Sequence, residues 1–357
     1  MTRRLAEVAK YVGVSEATVS RVLNSKPGIS DSTRAAVLTA LDVLGYDRPA
    51  KLRGERARLV GLILPELANP IFPAFAEVVA GDLAKRGFTP VLCTRTANGV
   101  AESDYVDMLL DQHVSGVLFC GGLYAQGDAD HDHYRRLRDR GLPAVLVNAA
   151  VEDLGFPRVS VDDAHAVDQA YNHLTSLGHE RIGIVLFQPD HMPSHRKLGA
   201  FTSAVASRPE TAASTEYVER SMFTMEGGQA AATKLVKRGV TAIICASDLL
   251  ALGAIRAVRR LGLNVPTDIS VVGFDDSAFM NCTDPPLTTV RQPIEAMGQA
   301  AVGLLVNQIA GQAASSDELL FEPELVVRGS TGPVPGRIPS QAAGAAPAGR
   351  RAGAVTG

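Results

Sequence analysis

No run of about 18 apolar residues occurs in the chain, the length a helix needs to cross a bilayer, so a membrane-spanning role is excluded. The opening residues, MTRRLAEVAK, lack the apolar core and small-residue cleavage site of a secretory signal, and the expectation is a cytoplasmic protein. The four cysteines, Cys93, Cys120, Cys245 and Cys282, have no CxxC spacing. Three lie in or after apolar runs such as GVLFC and TAIIC, and the set reads as small buried hydrophobes. His131 and His133 in GDADHDHYRR form a single i, i+2 pair in a polar stretch, which reads as a solvated turn. No metal or cofactor is therefore expected. GxGxxG after a strand, GxxxxGK[ST] and GxSxG are all missing, which removes the usual signatures of nucleotide-fold and nucleophile-elbow enzymes, and no enzyme is expected.

What is present is an ordinary globular composition, 46% hydrophobic and 20% charged, in 357 residues, long enough for more than one domain. Charge is unevenly placed. Residues 1–58 hold eleven lysines and arginines against six acids, a balance of +5, so the rest of a chain of net −3 carries −8. A basic head on an acidic body suits a nucleic-acid reader with a separate regulatory part.

Within that head, Leu5, Val8, Ala9 and Val12 recur at helical spacing, Gly13 ends the run, and Ser15 can cap a second helix whose Val19, Val22 and Leu23 share a face. Two helices joined by a short turn form a helix-turn-helix, whose second helix can enter a major groove. Its outer face carries Glu16, Ala17, Thr18, Ser20 and Arg21: hydroxyls suited to phosphates, an arginine able to fork onto guanine, and small or acidic groups for a thymine methyl or cytosine amine. Ser30 can cap a third helix with Val37, Ala40, Leu41 and Leu44 on its core side. Residues 1–46 thus form an all-α head, and 47–58 (DRPAKLRGERAR) a polar and basic linker with Pro49 and Gly54 as breakers.

From Leu59 the pattern alternates between apolar runs and helices. LVGLIL, TPVLC, GVLFC and PAVLVN are one set of buried strands; RIGIVLF, TAIICAS and ISVVGFDD are a second, with FEPELVVRGS as a strand near the end. Such alternation predicts doubly wound parallel sheets in two α/β lobes with a cleft at the carboxyl ends of their strands. The expected division is lobe 1 over about 59–160 and 291–330, lobe 2 over about 161–290, and a disordered tail over 331–357, which is rich in Pro, Gly and Ala and has no leucine heptads.

Several of these segments, in order, resemble the LacI/GalR family of sugar-responsive transcription repressors: GVSEATVSRVLN (13–24), VLGY (43–46), VGLILPELANPIF (60–72), HLTSLGHERIGIV (173–185), the stretch from CASDLLALG to SVVGFDD (245–276) and PPLTTVRQP (285–293). LRGERARLVGL and TDPPLTTVRQP resemble actinobacterial repressors of maltose or maltodextrin genes in particular. The resemblance implies a homodimer on a pseudo-palindromic operator, with a periplasmic-binding-protein-like body that takes a mono- or oligosaccharide between its lobes. By position it puts Glu16, Ala17 and Arg21 on bases, Ser15, Thr18, Ser20, Asn24 and Thr33 on phosphates, and Leu52 in the central minor groove. It puts Asn69, Phe72, Phe75, Asn148, Lys197, Phe223, Ser247, Asp248, Asp275 and Gln292 on the effector. Carboxylates and amides can fix hydroxyls while aromatic faces cover a pyranose ring. Two departures stand out: Lys197 occupies a position where many relatives have arginine, so Arg196 is a candidate to share that role, and the linker between Tyr46 and Leu52 is short. The competing readings are a periplasmic sugar-binding protein, which leaves the basic head unexplained, and an enzyme on a nucleotide-type fold, which lacks its motifs.

Overall fold

Three helices, α1 (Thr2–Val12), α2 (Glu16–Leu23) and α3 (Asp31–Val43), make up the head in the computed structural model, which describes residues 2–24, 26–44, 46, 58–95, 99–151, 154–313 and 315–334. Gly13 adopts φ +76°, a left-handed turn that costs glycine little. Ser15 then accepts the Thr18 N–H at 3.1 Å and caps α2, and Ser30 accepts the Thr33 N–H at 3.2 Å at the start of α3. Val8, Val19, Val22 and Val37 are fully buried between the three. The Tyr46 hydroxyl donates to Glu7 and ties the end of the head back to α1.

The body holds two six-stranded sheets. The first contains β1 (Arg58–Leu64), β2 (Phe88–Thr94), β3 (Gly116–Phe119), β4 (Ala144–Val147), β5 (Arg158–Val161) and β11 (Glu318–Phe321) in the order β11-β5-β4-β3-β1-β2, all parallel. Alternate residues of its strands serve different faces. Leu62, Leu118 and Val145 share one core with α4 (Ile71–Lys85) and α11 (Ile294–Ile309), whereas Ile63, Val117 and Leu146 share another with α5 (Glu102–Asp111) and α6 (Asp132–Asp139). This is the two-sided burial that parallel strands require.

The second sheet runs β12-β10-β9-β8-β6-β7, from β6 (Ile182–Leu186), β7 (Val218–Arg220), β8 (Ala242–Cys245), β9 (Ser270–Asp275), β10 (Thr288–Arg291) and β12 (Glu324–Val326). It is covered by α7 (Asp163–Ser176), α8 (Met192–Ala206), α9 (Met225–Lys237) and α10 (Asp248–Arg260). Its β10–β12 pair is antiparallel, so the expected all-parallel sheet carries one reversed edge.

Other expectations also need correction. FEPELVVRGS is no single strand: β11 belongs to the first sheet and β12 to the second, with Pro323 between them. Residues 291–330 therefore do not all join lobe 1. The chain crosses between lobes three times, at 161–163, 291–294 and 321–324. Of the tail, Thr331–Val334 is docked on lobe 2. Ser330 O accepts from Val271 N at 2.8 Å, Val334 N donates to Leu177 O at 3.0 Å, and the buried His179 bonds Ser270 and the Gly332 carbonyl, each at 3.0 Å. Residues 335–357 lie outside the described residues. Cys93, Cys120 and Cys245 are buried, but Cys282 is exposed. His131 and His133 are not solvated: both are buried, and His133 lies 3.1 Å from the buried Glu102 carboxylate.

Candidate functional site

On the head, Ser15, Glu16, Ala17, Arg21 and Asn24 are exposed, and Thr18, Ser20 and Thr33 are half-buried at its surface. Some of these groups already have local work. The Ser15 hydroxyl caps α2 and lies 2.9 Å from that of Thr18, Thr33 bonds Ser30 at 2.8 Å, and Asn24 donates to Ser20 O at 2.8 Å. Arg21 reaches the Pro27 carbonyl at 2.8 Å with one of its five N–H groups, which leaves the others outward. Leu52 lies outside the described residues.

In each sheet the strand order reverses direction once, between β1 and β3 and between β6 and β8. Connections leaving such a point diverge and open a crevice at the carboxyl ends of the strands. The two crevices face one another across a single cleft. Lobe 1 lines it with Asn69, Phe72, Phe75 and Asn148, and lobe 2 with Lys197, Phe223, Ser247 and Asp275, while Gln292 comes from the crossing between β10 and α11. Nine of the eleven residues expected on the effector thus surround one space.

The other two lie elsewhere. Arg196 makes a two-pronged ion pair with Glu318 of β11, both bonds 2.8 Å, and so bridges the lobes instead of facing the cleft. The Asp248 carboxylate is turned inside lobe 2, where it accepts from Thr289 Oγ1 at 2.6 Å and Ser277 N at 2.7 Å.

Asp275 ends β9 with φ +117°, backbone that is strained for residues other than glycine, and Asp276 follows it in the left-handed region with φ +54°. The surroundings hold it there. Arg291 and Arg328 grip Asp276 at 2.7 and 2.6 Å, and Gln292 Nε2 donates to Asp275 Oδ1 at 2.7 Å. Asp275 Oδ2 is buried and has no hydrogen-bond partner among the described residues. Burial raises the Asp275 carboxyl well above the usual range and Asp248 raises it further, against the pull of Gln292 and Lys197. Burial likewise lifts Asp163, opposed by Lys197, and pushes Asp248 up to about 6.

Lys197 is paired with Asp163, and its ammonium lies 3.9 Å from the centre of the Phe274 ring. His191, at the head of α8, is lowered to about 4, first by burial and then by Lys197, so it is neutral at pH 7. Phe223 stacks on Phe187 at 4.8 Å and 7°, and His191 meets both rings edge-on. The arrangement offers acceptors and donors on one side of a space walled by aromatic faces.

Sequence reasoning missed Asp163, His191 and Tyr124, which also line the cleft. Asp163 had a visible signal, an Asp162-Asp163 pair opening a helix, where Asp162 supplies the cap to Ala164 N and His165 N at 3.0 Å. Main chain also joins the lobes beside the cleft: Gln126 pairs with His191, and Gly127 N donates to Asp190 O at 3.0 Å. No group of three or more His, Cys, Asp or Glu side chains among the described residues is placed to hold a metal ion.

Residues 4–48 match bacterial regulatory proteins of the lacI family, and residues 171–331 match a periplasmic binding protein-like domain. The chain is 53% identical to the HTH-type transcriptional regulator MalR of Streptomyces coelicolor, over 94% of this chain and 98% of that protein. Among solved structures it is similar to a complex of the transcriptional regulator CelR with cellobiose, with TM-score 0.68 and 32% identity over 91% of this chain and 99% of that one. It is also similar to a lac repressor dimer bound to operator and the anti-inducer ONPF, with TM-score 0.69 and 27% identity over 91% and 98%.

Proposed function

The chain belongs to the lacI family of bacterial regulatory proteins and is a DNA-binding transcriptional regulator; on that premise we propose a repressor of carbohydrate-utilisation genes whose hold on DNA is set by a mono- or oligosaccharide seated between the lobes. The observation that carries this reading is Asp275 Oδ2, a buried carboxyl oxygen with no hydrogen-bond partner among the described residues, in a cleft also lined by Phe72 and Phe223. A sugar hydroxyl, able to donate or accept, supplies the missing partner, while the apolar side of a ring lies on the aromatic faces. The cognate ligand leaves unchanged, and the protein acts as a homodimer in the cytoplasm. No described helix is long and apolar enough to cross a membrane.

In the head, residues 1–46 read DNA. Glu16, Ala17 and Arg21 face bases, Ser15, Thr18, Ser20, Asn24 and Thr33 meet phosphates, residues 47–58 join head to body, and Leu52 enters the minor groove. The cellobiose held by CelR and the operator held by the lac repressor support both halves of the reading.

The test is a DNA fragment selected from a random pool by the full chain and titrated with saccharides, cellobiose and maltose among them. The selected fragments should contain two-fold related half-sites. One saccharide should shift fragment affinity roughly tenfold, and the fragment should shift saccharide affinity by the same factor. Asp275→Ala should abolish the shift and leave sugar-free DNA affinity unaltered. A response that survives in Asp275→Ala would remove that carboxylate from the site, and fragments without paired half-sites would overturn the dimeric head.

A further inference from the structure

Glu102 opens α5, behind the residues that line the cleft, and its side chain is buried rather than turned outward as a first-turn acid usually is. Its Oε1 accepts from the Tyr134 hydroxyl and from His133 Nε2 at 3.1 Å, and its Oε2 accepts from Leu123 N at 3.3 Å. The network continues toward the cleft. The Tyr134 hydroxyl accepts the Tyr124 N–H at 2.9 Å, while the Tyr124 hydroxyl accepts the Gly121 N–H at 2.7 Å and donates to Val147 O. Gly121, Gly122, Tyr124 and Ala125 form one part of the lobe 1 wall of the cleft. The next two residues, Gln126 and Gly127, make the main-chain bridge to Asp190 and His191 of lobe 2.

We infer that Glu102 is a positioning residue for effector binding: without touching the ligand, it holds the wall from Gly121 to Ala125 and, through it, the bridge that joins the lobes beside the cleft. The inference rests on the reading of the cleft as the effector site. Three features support a positioning role over simple packing. A buried carboxylate is costly unless its oxygens are fully bonded, and an apolar side chain would fill this place at lower cost. Both oxygens are bonded, and their partners include one wall amide directly and a second through Tyr134. Fit is also close on the wall side, since a Cβ on Gly122 would lie 2.7 Å from Glu102 Oε2, and Gly121 adopts φ +107°, which admits few other residues. The wall therefore follows the carboxylate.

Amide hydrogen exchange on the full chain, with calorimetric titration of cellobiose and maltose, tests this. In Glu102→Leu the amides of Leu123, Tyr124 and Gly127 should exchange roughly tenfold faster, while those of β6 and β8 keep their protection. The saccharide that binds the wild type should bind the variant roughly tenfold more weakly, an interaction at the scale of other couplings between sites. Glu102→Gln, whose amide oxygen can still accept from Leu123, should restore most of both. Tyr134→Phe, a smaller change that leaves the carboxylate in place, should speed exchange chiefly at Tyr124. Faster exchange spread evenly over lobe 1 with saccharide affinity unchanged would overturn the inference and make Glu102 a packing residue. If neither saccharide binds even the wild type, the sugar reading fails for those probes, and the exchange pattern still decides whether Glu102 positions the wall.

Discussion

Lobe 1 faces the cleft with amides, phenylalanines, Tyr124 and the glycine turn after β3, none of them charged at neutral pH, whereas lobe 2 supplies Asp163, Lys197, Asp275 and the neutral His191. The two walls also differ in how they are held. The lobe 1 wall is braced from behind by Glu102, His133 and Tyr134, and the charged groups of lobe 2 bond chiefly to one another and to their own strands. Asp163 and Lys197 would thus travel together in any shift of the lobes. The lobes can open without separating this buried pair, which would be expensive. Opening would change access and aromatic cover instead, and Arg196–Glu318 is a half-buried pair that spans the lobes.

The largest expected effect is on stability. Lys197→Ala leaves Asp163 buried without its cation and should cost about 3–5 kcal/mol in urea unfolding at pH 7.5. The loss should shrink as pH falls, because a buried Asp163 whose carboxyl is already raised takes a proton more readily once its cation is gone. A change too small to resolve would mean that the pair is indifferent to burial, and the contrast between the walls would go with it.

Next in size is a pH effect confined to lobe 2. His191 is lowered from 6.5 to about 4, so as pH falls the unfolded chain binds the proton first. The stability contributed by its neutral form is complete above pH 6.5 and is lost between 6.5 and 4, by up to about 3 kcal/mol. Asp248, raised to about 6, acts with the opposite sign over much of the same window. The comparison is therefore with His191→Gln: the melting temperature of the wild type should drop relative to the variant on acidification. Parallel curves would show that His191 titrates as it does in the unfolded chain.

On the lobe 1 side the effect should be smaller and limited to binding. Phe72→Leu keeps apolar bulk and loses the ring face, so saccharide affinity should fall by about 1 kcal/mol, the scale of an aromatic contact, with little change in melting temperature. Undiminished affinity would leave lobe 1 as a lid with no recognition of its own.

Legibility in the sequence followed the chemistry of burial. Strands β1, β3, β6, β8 and β9 are apolar runs and were readable as such. RVSV and TTVR were not, because their buried positions include hydroxyls whose needs are met by neighbouring side chains, and VER is too short and too little buried to show a pattern. Ser160 donates to Glu318 at 2.5 Å, Thr289 to Asp248 at 2.6 Å, and Thr288 meets Thr331 at 3.0 Å. A strand satisfied in that way shows no hydrophobic period. The same blindness hid part of the cleft. Asp275 ends an obvious strand, but Asp163 follows the overlooked β5, and Glu102 stands in the first turn of a helix, where an acid is ordinary. Arg196 and Asp248 were misplaced because a position within a motif does not say which way a side chain turns.

The late segments also order events during synthesis. Lobe 1 lacks an edge strand until Glu318–Phe321 arrives, and lobe 2 lacks both β12 and the strap from Ser330 to Val334 that covers His179. Neither sheet can be finished while most of the body is already outside the ribosome, so both lobes wait as open, partly exposed layers and close almost together at the end. The head, whose last tie is Tyr46 to Glu7, has every partner it needs long before then.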